Sequence, residues 1–127
     1  MLVEDEQALR LLITNLLERC GYTVLPAAAA QPAMDIWKQR RAEIKLLLTD
    51  IVMPDGTGID LAMQLCAQDP GLKVIYTSGY PADAGSVVAL TEGVNFLQKP
   101  CHPVKLAQVV RMRLDAPALD LNRGVRP

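Results

Sequence analysis

The chain has 127 residues and a mass of 13.9 kDa, a size that fits one globular domain with a core of its own. Hydrophobic residues make up 50% of the chain and charged residues 21%, which places it with ordinary folded proteins rather than with disordered ones. The net charge of −1 gives no global attraction to nucleic acid or to an anionic membrane, so direct nucleic-acid binding is disfavoured.

Cysteine usage and the N-terminal sequence indicate a reducing compartment. The three cysteines, Cys20, Cys66 and Cys101, form no C-x-x-C pair, and the chain has one His, so neither a disulfide framework nor a zinc site is predicted. Met1 leads straight into a strand without a signal peptide, and no apolar run approaches the about 20 residues of a membrane-spanning helix. We therefore expect a cytoplasmic protein with no membrane association.

Short apolar strands alternate with amphipathic helices along the whole chain. Five strands are predicted, over residues 2–3, 22–27, 46–50, 73–77 and 95–98. Five helices are predicted, over approximately residues 6–19, 32–41, 59–69, 82–91 and 103–114. The inward stripe of the first helix is predicted to comprise Leu9, Leu12, Ile13 and Leu16, and Trp37 on the second helix is predicted to be a core residue.

This alternation predicts an α/β fold, a doubly wound (βα)5 arrangement, because βαβ crossovers cover both faces of a parallel sheet. The flavodoxin-like strand order 2-1-3-4-5 places the switch point of the five-stranded parallel sheet between the first and third strands. Residues 1–116 are predicted to form this domain. Residues 117–127 have no clear periodicity and are predicted to be a disordered tail or linker stub.

Acidic residues follow two strands that are predicted to be neighbours. Glu4, Asp5 and Glu6 follow the first strand, and Asp50 ends the third. We expect them to converge, because the carboxyl ends of parallel strands meet at one edge of the sheet. Like charges about 4 Å apart repel by about 4 kcal/mol at an effective dielectric constant near 20, so such a cluster calls for a cation. Carboxylates without His or Cys favour Mg²⁺.

Two later strand ends add a hydroxyl and an amine to this edge of the sheet. Ser78 follows the fourth strand and Lys99 follows the fifth. Each of them, like Asp50, is by itself an ordinary turn or surface residue. Together and in this order they resemble the receiver domain of two-component response regulators, over residues 1 to about 116. The motifs that carry the resemblance are V-E-D-E, L-L-T-D-I-V-M-P-D-G-T-G, Y-T-S-G-Y and F-L-Q-K-P, and the last two also resemble receivers of hybrid sensor kinases.

The resemblance implies a role for each of these residues. Asp50 is implied to be the phosphoacceptor for a phosphohistidine donor, in a domain that is not an enzyme with a substrate of its own. Lys99 and Mg²⁺ would neutralise the phosphoryl oxygens, while Ser78 donates a hydrogen bond to one of them. The implied metal ligands are Asp5, Asp50, the main-chain carbonyl of Val52 and, through water, Glu4. The Lys99-Pro100 peptide bond is implied to be cis.

The resemblance also implies partners and a switch. The phosphodonor would be a sensor histidine kinase or a histidine phosphotransfer protein. Phosphorylation would draw Ser78 inward and let Phe96 turn from solvent toward the core, which reshapes the face made by the helix at 82–91, the fifth strand and the last helix. We expect this face, with Tyr80, Phe96 and Val104, to bind a partner or to form a homodimer.

Three alternatives place other chemistry on the same pattern. A phosphohydrolase of the haloacid dehalogenase type needs a second Asp two residues after its nucleophile, where this chain has Val52. An FMN carrier needs a phosphate loop after the first strand, where the acidic residues would repel the phosphate. A degenerate receiver that only mediates protein contacts stays open, although such domains usually lack one of the five site groups and this chain has all five.

Overall fold

The computed structural model describes residues 1–79 and 89–116. Within them, the strands are β1 (Leu2–Val3), β2 (Pro26–Ala27), β3 (Leu46–Asp50), β4 (Val52–Met53), β5 (Gly56–Thr57), β6 (Lys73–Ser78) and β7 (Phe96–Gln98). The α-helices are α1 (Gln7–Arg19), α2 (Ala30–Arg40), α3 (Gly58–Gln68) and α4 (Pro103–Asp115). A 3-10 turn over Arg41–Glu43 follows α2. None of the described helices is both long and apolar enough to cross a membrane.

Five of these strands form one parallel sheet in the order β2-β1-β3-β6-β7. This is the predicted order 2-1-3-4-5, with the switch point between β1 and β3. Val3 lies opposite Thr49, Asp50 opposite Thr77, and Ser78 opposite Gln98. The register therefore brings the carboxyl ends of β1, β3, β6 and β7 to one edge, where the predicted site residues follow.

A hydrophobic core covers each face of the sheet. The core on the side of α2 and α3 contains Trp37, which is 1% exposed and donates a hydrogen bond from Nε1 to Oε1 of Gln68 at 3.0 Å. The core on the other side is built from α1 and α4, with Ile13, Leu106 and Val110 among its members. The prediction that Trp37 is a core residue is confirmed.

Three details of the predicted elements are wrong. Residues 22–25 are not part of β2, because β1 offers it only two residues to pair with. Leu12 is 56% exposed, while Leu17, one turn beyond Ile13, is buried in its place. The helix predicted over 82–91 lies mostly outside the described residues, but residues 89–91 are described and are not helical. The predicted tail at 117–127 also lies outside them.

The segment after Asp50 is more regular than the loop that the sequence predicts. β4 and β5 form an antiparallel ribbon in which Val52 lies opposite Thr57. Helix α3 begins directly behind the ribbon, and its Gly58 N–H donates to the Ile51 carbonyl at 2.7 Å. A Cβ on Gly58 would lie 1.9 Å from the Asp50 carbonyl oxygen, so only glycine allows this close approach.

We expect Gly58→Ala to destabilise the protein by about 3 kcal/mol, the upper end of the usual cost of overpacking, because backbone must move to admit the methyl group. Urea unfolding monitored by Trp37 fluorescence measures this change. The control is Gly71→Ala, whose Cβ would meet only a side-chain oxygen of Asp69 at 3.4 Å. Equal losses of stability in the two variants would contradict the close approach at Gly58.

Candidate functional site

Three of the predicted site residues meet in one cluster of ion pairs. Lys99 Nζ lies 2.5 Å from Asp50 Oδ1 and 2.8 Å from Glu4 Oε1. Both carboxylates are almost fully buried, with 2% of Glu4 and 3% of Asp50 exposed to solvent. The three residues follow or end β1, β3 and β7, so they meet because the sheet register aligns these strand ends.

The acidic residues form the cluster that their positions predict. One carboxylate oxygen each from Glu4, Asp5 and Asp50 lies within 4.8 Å of the others. Glu4 also accepts a hydrogen bond from the Glu6 N–H through Oε2 at 3.0 Å. Arg10, to which the sequence assigns no role at the site, donates to the main-chain carbonyl of Glu4 at 2.8 Å and fixes this segment from helix α1.

The two carboxylate oxygens of Asp50 have different surroundings. Oδ1 accepts a hydrogen bond from Thr77 Oγ1 at 2.8 Å, besides its contact with Lys99. Oδ2 is buried and has no hydrogen-bond partner among the described residues. Sequence reasoning missed Thr77, although the parallel pairing of β3 with β6 could have placed it opposite Asp50.

Burial and the neighbouring Glu4 raise the pKa of Asp50 to about 7, against the hydrogen bonds from Lys99 and Thr77, which lower it. The partial burial of Lys99 works against its charge, but its contacts with Asp50 and Glu4 outweigh this effect and raise its pKa. Lys99 is therefore the cation of the cluster at neutral pH. The contact with Lys99 lowers the pKa of Asp50 but does not bring it down to the ordinary value of an aspartate.

The remaining predicted residues lie around this cluster. Ser78 is buried at the end of β6, and its carbonyl accepts a hydrogen bond from the Lys99 N–H at 2.8 Å. The Lys99-Pro100 bond is cis, as the resemblance implies. Val52 is the first residue of β4, two residues after Asp50.

The structure describes two of the three residues of the predicted switch surface. Phe96 is buried in the core and lies opposite Tyr76, so it forms no part of an exposed surface in this structure. Its inward position is the one that the resemblance assigns to the phosphorylated state. Val104 is exposed as expected, and Tyr80 lies outside the described residues.

The donor set of the cluster fits a small, hard divalent cation. Its three members are carboxylates, with no His or Cys, and this is the ligand type that Mg²⁺ prefers. The buried Oδ2 of Asp50, which lacks a hydrogen bond from any described residue, is an oxygen that a cation or an incoming group would satisfy.

The raised pKa of Asp50 predicts how stability depends on pH in metal-free buffer. Between about pH 4 and pH 7 the unfolded carboxyl ionises while the folded one keeps its proton, so stability falls as pH rises through this window. Asp50→Asn removes this dependence. Relative to the wild type, we expect the free energy of unfolding of Asp50→Asn to rise by a few kcal/mol from pH 4 to pH 8, since one pKa unit corresponds to about 1.4 kcal/mol.

Urea unfolding in EDTA at several pH values measures the difference between the two proteins. Asp60→Asn is the matched control, since Asp60 is an exposed carboxylate in the first turn of α3. A stability difference between wild type and Asp50→Asn that does not change with pH would show that Asp50 ionises normally in the folded protein.

Comparisons with known proteins agree with this geometry. The family model of the response regulator receiver domain matches residues 1–111. The response regulator receiver protein CpdR of Brucella abortus (strain 2308) is 36% identical over 117 residues, which are 91% of this chain and 96% of CpdR. The sensor kinase CckA of the same organism is 34% identical over 116 residues, again 91% of this chain but only 12% of the kinase.

Solved structures show the same likeness. The receiver domain from the hybrid histidine kinase CckA is 32% identical, with a TM-score of 0.76 over 90% of this chain and 96% of that one. A receiver domain protein from Clostridium thermocellum is 25% identical, with a TM-score of 0.79 over 90% of this chain and 91% of that one. Since the family model covers most of the sequence and the sheet has the matching strand order, the chain belongs to the response regulator receiver domain family.

Proposed function

We propose that the chain accepts a phosphoryl group on Asp50 from a phosphohistidine donor, in a reaction that requires Mg²⁺. Receiver domains are phosphoacceptor domains of two-component signalling and bind Mg²⁺ through acidic residues. The observation that carries the assignment to Asp50 is its asymmetric environment. Oδ1 is held by Lys99 and Thr77, whereas Oδ2 has no hydrogen-bond partner in the described part of the chain.

The other two carboxylates are less suited to be the acceptor. Both oxygens of Glu4 are occupied, Oε1 by Lys99 and Oε2 by the Glu6 N–H. Asp5 is exposed, so water competes for its oxygens. Asp50 alone combines burial, a fixed orientation and an oxygen without a hydrogen bond from a described residue. These are the properties of a positioned nucleophile.

The surrounding residues would position and neutralise the phosphoryl group. One Asp50 oxygen attacks phosphorus as the bond to the donor imidazole breaks, and the phosphoryl group passes to the carboxylate. Lys99, already in contact with Asp50, holds positive charge beside the transferred oxygens, and the Ser78 hydroxyl donates to one of them. Asp5, Asp50, the Val52 carbonyl and, through water, Glu4 would hold Mg²⁺, which would supply further positive charge at this edge.

The proposed phosphodonor is a sensor histidine kinase or a histidine phosphotransfer protein. Support comes from the likeness to the receiver of a hybrid histidine kinase and to the receiver protein CpdR. We propose that residues 1–116 form the receiver domain, that it works in the cytoplasm, and that it is an acceptor rather than an enzyme with a substrate of its own. The alternative, a receiver that only mediates contacts, predicts that Asp50 is never phosphorylated.

Acetyl phosphate, a small donor that needs no partner protein, tests the acceptor directly. With Mg²⁺ present, we expect intact-protein mass spectrometry to show the addition of one phosphoryl group to the wild type. Asp50→Ala removes the nucleophile and Asp5→Ala removes a proposed metal ligand, so labelling should fall below detection in both variants. Asp60→Ala, the surface control, should be labelled like the wild type. Labelling of Asp50→Ala at the wild-type rate would mean that another residue is the acceptor.

We further propose that phosphorylation of Asp50 changes the output surface through strand β7. The Lys99 N–H binds the Ser78 carbonyl, and Phe96, three residues before Lys99, is packed in the core opposite Tyr76. A phosphoryl group that binds Ser78 and Lys99 would therefore tighten β6 against β7 and keep Phe96 inward. The proposed output surface, for a partner or a second copy of the chain, is formed by residues 82–91, β7 and α4, with Val104 exposed on it.

Hydrogen exchange with and without beryllofluoride, a mimic of the phosphoryl group, tests this route. We expect slower exchange in β7, because Lys99 follows it directly and its N–H binds the Ser78 carbonyl. We also expect slower exchange in residues 82–91, which the resemblance to the receiver family assigns to the output surface. Asp50→Ala with the same additions is the control and should show no change. Protection that changes only in α1 and α2 would rule out this output surface.

A further inference from the structure

Helix α2 begins in a sequence that offers no capping side chain. Its N-cap residue is Ala29, which cannot accept a hydrogen bond through its side chain. Ala33 donates its N–H to the Ala29 carbonyl, and Pro32 has no N–H. Two main-chain donors of the first turn, those of Ala30 and Gln31, therefore need acceptors from elsewhere in the chain.

Asp55 supplies both acceptors from a different element. Its Oδ1 accepts from the Ala30 N–H and its Oδ2 from the Gln31 N–H, each at 2.9 Å. These two backbone hydrogen bonds lower the pKa of Asp55, so its carboxylate is ionised at neutral pH. A carboxylate at a helix N-terminus is further favoured by the helix dipole. The contact is thus a two-pronged, charge-assisted link between segments about 25 residues apart.

Asp55 lies in the turn of the ribbon that follows the proposed phosphoacceptor. β4 and β5 are joined by Pro54 and Asp55, and the first residue of β4 is Val52, whose carbonyl is a proposed metal ligand. At its base, the ribbon is held by the hydrogen bond from the Gly58 N–H to the Ile51 carbonyl. At its tip, it is held by Asp55. The backbone of Val52 therefore lies between two fixed points.

We propose that Asp55 is a positioning residue for cation binding, because its link to the first turn of α2 holds the β4–β5 ribbon and with it the Val52 carbonyl. The proposal rests on the proposed function, in which Mg²⁺ binds at this edge of the sheet. Asp55 is not a member of the carboxylate cluster found among the described residues, so its effect on the cation is indirect. Substitution of a residue that orients the ligands of a metal site usually lowers metal affinity by about 10–100-fold.

The link should matter more for cation affinity than for global stability. Asp55 is exposed and lies outside both cores, so its substitution leaves the buried apolar contacts intact. Met53, on the same ribbon, is buried and keeps the ribbon near the core. We therefore expect a folded variant whose ribbon moves more, rather than an unfolded one.

Isothermal titration of the full chain with MgCl₂ tests the proposal on wild type, Asp55→Asn and two controls. Asp60→Asn removes an equal charge at the start of α3, and Gln39→Gly weakens α2 at its other end, away from the turn that binds Asp55. We expect Asp55→Asn to bind Mg²⁺ about 10-fold more weakly, the lower end of the usual range. Both controls should stay near wild type. Hydrogen exchange in EDTA should be faster in Asp55→Asn at Ala30, Gln31 and the ribbon amides.

The outcomes separate this inference from the proposed function. If wild-type protein does not bind Mg²⁺, the proposed function fails, whatever Asp55 does to the ribbon. If wild type binds Mg²⁺ and Asp55→Asn binds it equally well, the positioning role is overturned. An equal loss of affinity in Asp60→Asn would assign the effect to charge, and an equal loss in Gln39→Gly would assign it to the stability of α2; either result also overturns the proposal.

Discussion

The ion pairs from Lys99 to Asp50 and Glu4 are the interaction on which the site depends. Two buried carboxylates cannot both ionise side by side without a compensating charge, because each has lost its water and repels the other. Lys99 provides one positive charge for two negative ones. The raised pKa of Asp50 shows that this compensation is incomplete. The fold thus holds a site that gains from a further cation, which is the electrostatic basis for proposing Mg²⁺ there.

The sheet explains how these charges can be held so close together. Each face is covered by an apolar core, and the charged residues at the strand ends, Glu4, Asp50 and Lys99, belong to neither core. Glycine at position 58 lets the first residue of helix α3 lie directly against the Asp50 carbonyl. The buried carboxylates of the described residues, Glu4 and Asp50, both lie at this edge, and the packing of the two cores offsets the cost of burying them.

The sequence predicts the strand ends well because their signal is local. Apolar runs that stop at Asp50, and before Glu4 and Lys99, are visible without any knowledge of the fold. Thr77 and Asp55 could not be found in this way, since their roles depend on which strand lies opposite and on which helix lacks a cap. The same applies to the short β2, whose length is set by its partner strand rather than by its own residues.

The two contacts of the Glu4 side chain indicate how Lys99 would respond to the proposed reaction. Its two carboxylate oxygens reach in different directions, one to the Glu6 N–H and the other to Lys99. Glu4 therefore shares Lys99 with Asp50 before any phosphoryl group arrives. A phosphoryl group would carry about −1.5 to −2 charges in place of the single charge of the Asp50 carboxylate, and would so draw Lys99 away from Glu4. Because the Lys99 N–H is bound to the Ser78 carbonyl, this redistribution of charge acts on the β6–β7 pair, which contains the proposed switch residue Phe96.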